Sequence, residues 1–200
     1  MKNKIKKIIY FIWQIYGIVI KDYKINCPAE IKREFIKEIQ GKNKFKTFIE
    51  TGTYLGDTLE FLKDSFYELI SIELSDEYYV KAIERFKTSP NIKIVHGDSG
   101  ERLPEILKTI KEPCIFWLDG HYSSGNTARG EIDTPIYKEI SAILGSSIKN
   151  HTVLIDDARL FFGKNDYPWL PNLKRYIDRL SQNCYHMSIT KDIIVLTPKK

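Results

Sequence analysis

The chain has 200 residues, of which 42% are hydrophobic and 28% are charged, and its formal net charge is +5. This length and composition suit a globular domain and exclude a disordered, collagen-like or repeat protein. The three cysteines are far apart and form no CxxC pair, so neither a disulfide framework nor a zinc site is indicated. A reducing, cytoplasmic location is therefore expected.

The basic excess belongs to the N-terminal segment, residues 1–24. Six lysines stand there against Asp22, and the remaining charges of the chain cancel. Because the body of the chain carries no basic excess, we expect no nucleic-acid partner.

The same segment contains an apolar run, residues 8–20, interrupted by Gln14 and Gly17. As a helix this run would be about 20 Å long, which is short of the roughly 30 Å hydrocarbon core of a bilayer. Three alternatives stay open. The segment packs on the protein's own body or on a second copy in a homo-oligomer, it makes a peripheral contact with anionic lipid, or it is a signal or anchor without a recognisable cleavage site.

A short amphipathic helix is predicted after Pro28 and ends near Gly41, which closes an N-terminal extension of residues 1–41. From residue 42 onward, strand-like runs alternate with helical patterns. The runs cover residues 45–50, 68–73, 91–97, 113–119, 151–156, 184–189 and 193–197. This alternation predicts a Rossmann-like α/β domain over residues 42–200, with a mostly parallel sheet and helices on both faces.

The C-terminus breaks the alternation. Only Thr190, Lys191 and Asp192 separate the last two runs, and this gap is too short for a crossover helix. The last two strands must therefore form an antiparallel hairpin. The sequence predicts seven strands, of which only the last is reversed.

Polar residues at the strand ends form the candidate site, because ligands of open parallel sheets bind at the carboxyl ends of the strands. The candidates are Glu50, Thr51, Gly52, Thr53 and Gly56 after the first strand, Glu73 after the second, Asp98 and Ser99 after the third, Asp119 and His121 after the fourth, and Asp156 and Asp157 after the fifth. An acid follows each of these five strands. Since the strand ends converge in space, surface solvation is a poor explanation for all five.

The loop ETGTYLG, residues 50–56, narrows the choice of ligand. It contains neither a GxxxxGK phosphate-binding pattern nor GxGxxG, and it has no basic residue, so a cationic or hydroxyl-rich ligand is favoured over a phosphate. Glu73 lies about 20 positions after Gly52, where an acid accepts hydrogen bonds from a ribose diol. Asp98 then fits as the acceptor for an exocyclic amine. These features describe a positively charged adenosine without phosphate.

At this point the chain resembles the class I S-adenosylmethionine-dependent methyltransferases. ETGTYLG is similar to the family's first motif, with Thr53 where a second glycine often stands, ISIE to its ribose-binding segment, and HGDS to its adenine-contacting segment. The reversed last strand is the family's topological mark. The resemblance covers residues 42–200 and implies S-adenosylmethionine as cofactor. The residues that it implies for binding are Glu50, Thr51, Gly52, Thr53, Gly56, Glu73, Asp98, Ser99 and Asp119.

A narrower resemblance is to the metal-dependent O-methyltransferases of the macrolide-sugar (macrocin) type. It implies that Asp119, in WLDGH, and Asp156 and Asp157, in LIDDAR, bind Mg²⁺ or another divalent cation, for which carboxylate oxygens are suitable ligands. The metal would lower the pKa of an acceptor hydroxyl. The alternative is that the pair Asp156-Asp157 only caps a loop while Asp119 contacts the cofactor.

The general base is harder to identify. Catechol-type relatives carry a lysine where this chain has Tyr122, and some sugar-modifying relatives carry a histidine where it has Arg159. We therefore expect His121 to act as the base next to a catalytic Asp119, with a structural role as the alternative.

The resemblance predicts a Mg²⁺-assisted O-methyltransferase that acts on a hydroxyl of a sugar or glycosylated small molecule. Two other functions stay open. One is a catalytically silent Rossmann-like binding or scaffold protein, suggested by the imperfect first motif. The other is a nucleic-acid methyltransferase, which the neutral body of the chain and the absence of a DPPY-type motif disfavour.

Overall fold

The computed structural model describes residues 11–21, 26–120 and 134–199. In these parts of the chain the strands are β1 (Val19–Ile20), β2 (Thr47–Thr51), β3 (Glu68–Glu73), β4 (Ile92–His96), β5 (Ile115–Leu118), β6 (Thr152–Ile155), β7 (Tyr185–Thr190) and β8 (Ile193–Pro198). The helices are α1 (Ala29–Asn43), α2 (Asp57–Leu62), α3 (Asp76–Arg85), α4 (Ser99–Leu107), α5 (Ile136–Gly145) and α6 (Leu170–Leu180). Residues 11–15 are also helical, and a 3₁₀ turn covers Ala158–Leu160.

All the described strands belong to one sheet, in the order β1-β7-β8-β6-β5-β2-β3-β4. Strands β2 to β6 are parallel, and β8 is antiparallel to both of its neighbours, β6 and β7. The predicted fold class is confirmed, including the reversed last strand. The sequence missed β1, which pairs in parallel with β7, because two residues are too few to show an alternating pattern.

Apolar side chains cover both faces of the sheet, since successive residues of a strand point to opposite sides. Ile49 of β2 belongs to one core cluster, together with residues of α4, α5 and α6. Its neighbour Phe48 belongs to the other cluster, with residues of α1, α2 and α3. This arrangement leaves the ends of the strands as the place for polar chemistry.

The described N-terminal residues pack against this body. Trp13 and Ile18 are buried in the first cluster, and Ile36 of α1 is buried in the second. A boundary between residues 41 and 42, contact with lipid and contact with a second copy stay predictions. Among the described residues, no helix combines the length and the apolar character needed to cross a bilayer.

The β7–β8 hairpin turns through Lys191 and Asp192, whose φ angles are 51° and 63°. Two successive residues with positive φ form the tight turn that matches the twist of a hairpin. Because β7 is parallel to β6, this turn lies at the carboxyl edge of the sheet. The hairpin therefore adds Asp192 to the acids at that edge.

Candidate active site at the carboxyl edge of the sheet

The strand order reverses between β2 and β5, because the chain passes from β2 to β3 and β4 on one side and then returns to β5 on the other. Such a switch point opens a crevice for ligands. Gly52 lies in it with a φ of +86°, and a Cβ atom there would stand 2.6 Å from the carbonyl oxygen of Asp119. Both the backbone conformation and the close approach therefore require glycine.

Hydrogen bonds join the ends of β2 and β5 at this point. The backbone N–H of Asp119 donates to the carbonyl oxygen of Thr51 at 3.1 Å. The N–H of Gly120 donates to Oγ1 of the same threonine at 3.2 Å. The predicted loop residues Thr51 and Gly52 are thus brought together with Asp119.

Two further loop residues, Glu50 and Thr53, are buried beneath the loop. Ser71 of β3 donates its hydroxyl to Oε2 of Glu50 at 2.8 Å, and its Oγ lies 2.6 Å from Oγ1 of Thr53. Burial raises the pKa of Glu50 well above its usual range, against the opposing effect of the Ser71 hydrogen bond, and the charge of Asp119 adds to the increase. Thr53 therefore supports the loop through its hydroxyl.

Glu73 holds the loop from the neighbouring strand. Its Oε2 accepts from the backbone N–H of Tyr54 at 2.7 Å, and its Oε1 accepts from that of Ser75 at 2.8 Å. Each carboxylate oxygen can accept a second hydrogen bond, so a diol could still bind. The acid predicted for ribose binding therefore lies beside the predicted loop.

Asp98 and Ser99 follow β4 as predicted, but both have local partners. Asp98 caps α4 by accepting from the N–H of Gly100 at 2.8 Å. Ser99 donates its hydroxyl to Oε1 of the buried Glu139 in α5 at 2.7 Å. The sequence missed Glu139 because its surrounding helical pattern is an ordinary one.

Gly56 serves packing between helices. Its φ is +82°, and a Cβ atom there would stand 2.7 Å from a ring carbon of Phe86. Gly56 precedes α2, and Phe86 follows α3. Its place in the predicted motif is therefore explained by close contact with an aromatic ring.

Asp119 lies next to the acid pair in register. It follows Leu118 of β5, which pairs with Ile155 of β6, the residue before Asp156. Adjacent strands are about 4.8 Å apart, so the backbones of Asp119 and Asp156 are neighbours. His121, the predicted base, lies outside the described residues, and its role stays a prediction.

A lysine that the sequence analysis did not identify contacts the acid pair. Nζ of Lys32, in α1, donates to Oδ1 of Asp156 and, at 3.1 Å, to Oδ1 of Asp157. Burial raises the pKa of Asp156 and the charge of Asp157 adds to this, whereas Lys32 lowers it. Although burial opposes its charge, the two aspartates hold the pKa of Lys32 above its usual value.

Arg159 extends the cluster to the hairpin turn. Its guanidinium donates to both carboxylate oxygens of Asp157 and to Oδ2 of Asp192. Asp192 has no exposed surface, and its two oxygens also accept from the backbone N–H groups of Arg159 at 2.9 Å and Asn26 at 3.2 Å. The edge at β6 and β8 is thus a network of three buried acids, the buried Lys32 and the half-buried Arg159.

This network bears on the predicted metal ligands. Asp156 and Asp157 already contact the ammonium of Lys32, and Asp157 also contacts Arg159. A divalent cation at the pair would lie against a buried positive charge, which is strongly unfavourable. Residues 11–21, 26–120 and 134–199 contain no group of three or more histidine, cysteine or acidic side chains placed to hold a metal ion. As it stands, the arrangement does not fit a divalent cation.

No family model and no curated protein sequence matches the chain. Solved structures do match. S-adenosylhomocysteine-bound methyltransferase PaMTH1 from Podospora anserina has a TM-score of 0.58 and 14% identity, over 86% of this chain and 80% of that one. The same score and identity hold for the Bacillus cereus O-methyltransferase in complex with S-adenosylhomocysteine, over 88% and 85% of the two chains.

A third similar structure is TomG, the O-methyltransferase of tomaymycin synthesis from Streptomyces achromogenes, in complex with S-adenosylmethionine. Its TM-score is 0.58 and its identity 14%, over 86% of this chain and 80% of that one. TM-scores of 0.58 establish a common fold, whereas identities of 14% leave activity open. The chain therefore has the fold of the S-adenosylmethionine-dependent methyltransferases.

Proposed function

We propose that this chain is an S-adenosylmethionine-dependent O-methyltransferase whose acceptor is a hydroxyl of a sugar or glycosylated small molecule. The observation that carries the proposal is the geometry at the switch point. Gly52 approaches the backbone of Asp119 there, and Glu73 lies beside the same loop. The three similar structures support the cofactor and O-methylation, since two of them are O-methyltransferases and all three hold S-adenosylmethionine or its demethylated product. The sugar acceptor rests on the sequence resemblance alone.

The side chains around the loop suit this cofactor. Glu73 provides acceptor oxygens for ribose hydroxyls, and Asp119 places negative charge near the loop for a cationic ligand. The loop has no lysine or arginine for a phosphate group. S-adenosylmethionine supplies a methyl group on a positively charged sulfur, so an acidic crevice is electrostatically complementary to it.

The chemistry asks mainly for positioning. The acceptor oxygen bonds to the methyl carbon while the carbon–sulfur bond breaks, and the hydroxyl proton passes to a base. Because the three atoms must lie in line, holding the acceptor in place provides much of the rate increase. We propose that His121 receives this proton as the general base and that Asp119 assists it as the second catalytic residue.

Assistance by Mg²⁺ at Asp119, Asp156 and Asp157, which the resemblance implies, is not part of this proposal, because Lys32 already contacts the acid pair. Three other predictions remain proposals. A small-molecule or saccharide acceptor, peripheral membrane contact through residues 1–24 and a homo-oligomer stay predictions. The silent binding protein and the nucleic-acid methyltransferase are outcomes of the activity test.

Calorimetry with S-adenosylhomocysteine tests the cofactor. We expect binding in the micromolar range, and about 10- to 100-fold weaker binding for Glu73→Gln, since one charged hydrogen-bond acceptor is lost. Glu84→Gln, at an exposed position of α3 paired with Lys87, is the matched control and should bind like the wild type. Absence of heat at millimolar ligand would refute the proposal.

Transfer of a labelled methyl group tests the acceptor. Sugars, glycosylated metabolites, RNA and DNA are offered in parallel to the wild type and to His121→Ala. Label on the saccharide fraction supports the proposal, and label on RNA or DNA supports the nucleic-acid alternative. Cofactor binding without transfer to any acceptor identifies a silent binding protein.

A further inference from the structure

The ion pair of Lys32 is unusual for its burial. Only 6% of this lysine is exposed, and its partners Asp156 and Asp157 are also buried. Lysine is rarely buried without a partner of opposite charge, because its ammonium is strongly hydrated in water. The contact also spans 124 positions in the sequence, so it joins α1 to the carboxyl end of β6.

The charges of the network are nearly balanced without any ion from solution. Asp156, Asp157 and Asp192 carry three negative charges, and Lys32 and Arg159 carry two positive ones. Arg159 bridges Asp157 to Asp192, whereas Lys32 bridges Asp156 to Asp157. A divalent cation at the Asp156-Asp157 pair would leave a buried excess of positive charge unless Lys32 moved away.

We infer that the ammonium of Lys32 takes the place of a divalent cation at the Asp156-Asp157 pair, so that the wild-type chain binds no Mg²⁺ there. The ammonium donates to the two carboxylates from between them, as a metal ion would contact them, but it is attached to α1 and cannot exchange. It therefore compensates one of the two negative charges of the pair and fixes α1 to the sheet at the same time.

The occupation of the acid pair by Lys32 is independent of methyl transfer. If the proposed function is correct, removal of metal ions leaves turnover unchanged, and deprotonation of the acceptor falls to a side chain of the protein. Metal binding itself is measured without any acceptor, so the two proposals are tested separately.

Titration of Mn²⁺ into the wild-type protein, followed by electron paramagnetic resonance of the free ion, is the primary test. Mn²⁺ prefers the same oxygen ligands as Mg²⁺. S-adenosylhomocysteine is present, and its heat of binding is recorded on the same preparation. We expect no bound Mn²⁺ up to about 1 mM, the weak end of protein calcium sites. One bound Mn²⁺ per chain, lost in Asp156→Asn, would overturn the inference even if cofactor binding were intact.

Lys32→Met provides the complementary test. The variant removes the ammonium that lies between Asp156 and Asp157, so we expect it to bind Mn²⁺ at the concentrations where the wild type does not. In chelator its Tm should fall by about 10 °C, because breaking a buried ion pair leaves uncompensated charge. Added Mn²⁺ should recover part of this loss, since a ligand that binds only the folded state stabilises it.

Lys174→Met is the matched control. Lys174 is 7% exposed and pairs with Asp178 on α6, apart from the acid pair. Its Tm should fall without any recovery by Mn²⁺. A folded Lys32→Met that binds no Mn²⁺ would contradict the inference, and the wild-type titration decides the question by itself if that variant does not fold.

Discussion

The two ends of the carboxyl edge hold their acids in different ways. At β3 and β4, Glu73 and Asp98 accept hydrogen bonds from backbone N–H groups of neighbouring residues. At β6 and the β7–β8 turn, Asp156 and Asp192 are paired with Lys32 and Arg159, respectively. Both ends are rich in carboxylates that accept from backbone N–H groups, and only the second end adds a cationic side chain to each acid.

The difference separates ligand binding from structural support. A carboxylate held by amide groups keeps its full charge and has lone pairs left for a cationic or hydroxyl-bearing ligand. A carboxylate paired with a buried cation is already neutralised, and it mainly fixes the elements that carry the two partners. Gly52 and Asp119 lie between the two ends, at the switch point.

The largest effect is expected at the cation-paired end. Asp192→Ala removes one of the two carboxylates that pair with Arg159, and the acceptor of two backbone N–H groups, at a position with no exposed surface. The free energy of unfolding should fall by about 3–5 kcal/mol, measured by urea denaturation. Asp57→Ala breaks a largely exposed pair with Arg85 and should cost less than about 1 kcal/mol. Equal losses for the two variants would show that the buried network contributes no more than a surface pair.

At the switch point, Gly52→Ala should weaken cofactor binding as well as stability. The positive φ disfavours alanine by about 1–2 kcal/mol, and the contact with the Asp119 carbonyl forces the loop to shift. Calorimetry should show that the affinity for S-adenosylhomocysteine is reduced at least about 10-fold. A tenfold loss corresponds to roughly 1.4 kcal/mol of binding free energy.

Gly41→Ala is the control for this substitution, because Gly41 lies in α1 and a Cβ atom there meets nothing within 4 Å. It should leave cofactor affinity unchanged and stabilise the helix by about 0.5–1 kcal/mol. If Gly52→Ala bound S-adenosylhomocysteine as tightly as Gly41→Ala, the switch point would not be the cofactor site.

Glu50, buried beneath the loop at the switch point, should make stability depend on pH. Its pKa in the folded chain is raised well above the ordinary value of 4.5 by burial. Between pH 4.5 and the folded-state pKa, Glu50 has lost its proton in the unfolded chain but keeps it in the folded chain. The free energy of unfolding therefore falls as the pH rises through this range, by up to about 1.4 kcal/mol per pH unit.

Glu50→Gln should remove this slope. The variant is expected to be more stable than the wild type at pH 7 and equally stable near pH 4, as measured by urea denaturation across that range. Parallel pH profiles for the two proteins would show that Glu50 is ionised at no cost in the folded state.

The sequence was sufficient for the features that local patterns encode. The reversed last strand follows from the short gap at residues 190–192, and the acids at the strand ends follow from the alternation of strands and helices. Lys32 was missed because its partners lie more than 120 positions away. One signal was available: Lys32 is four residues before the buried Ile36, on the same face of α1, and a lysine on an apolar face needs a partner.

Asp192 was missed for a different reason. Aspartate is common in tight turns, so an aspartate between β7 and β8 indicates no more than the turn itself. Only the three-dimensional structure shows that the turn delivers its carboxylate to Arg159.

The smallest expected effect is that of Ser99→Ala, which tests how far the cofactor site extends along the carboxyl edge. Ser99→Ala removes a hydroxyl that the resemblance assigns to the cofactor and that the structure places on Glu139 at 2.7 Å. If the hydroxyl only ties α4 to α5, unfolding should become easier by about 1 kcal/mol while affinity for S-adenosylhomocysteine stays within about twofold. If affinity falls about 10-fold with little change in stability, the hydroxyl of Ser99 leaves Glu139 and donates to the bound cofactor instead. The cofactor site then includes the first residue of α4.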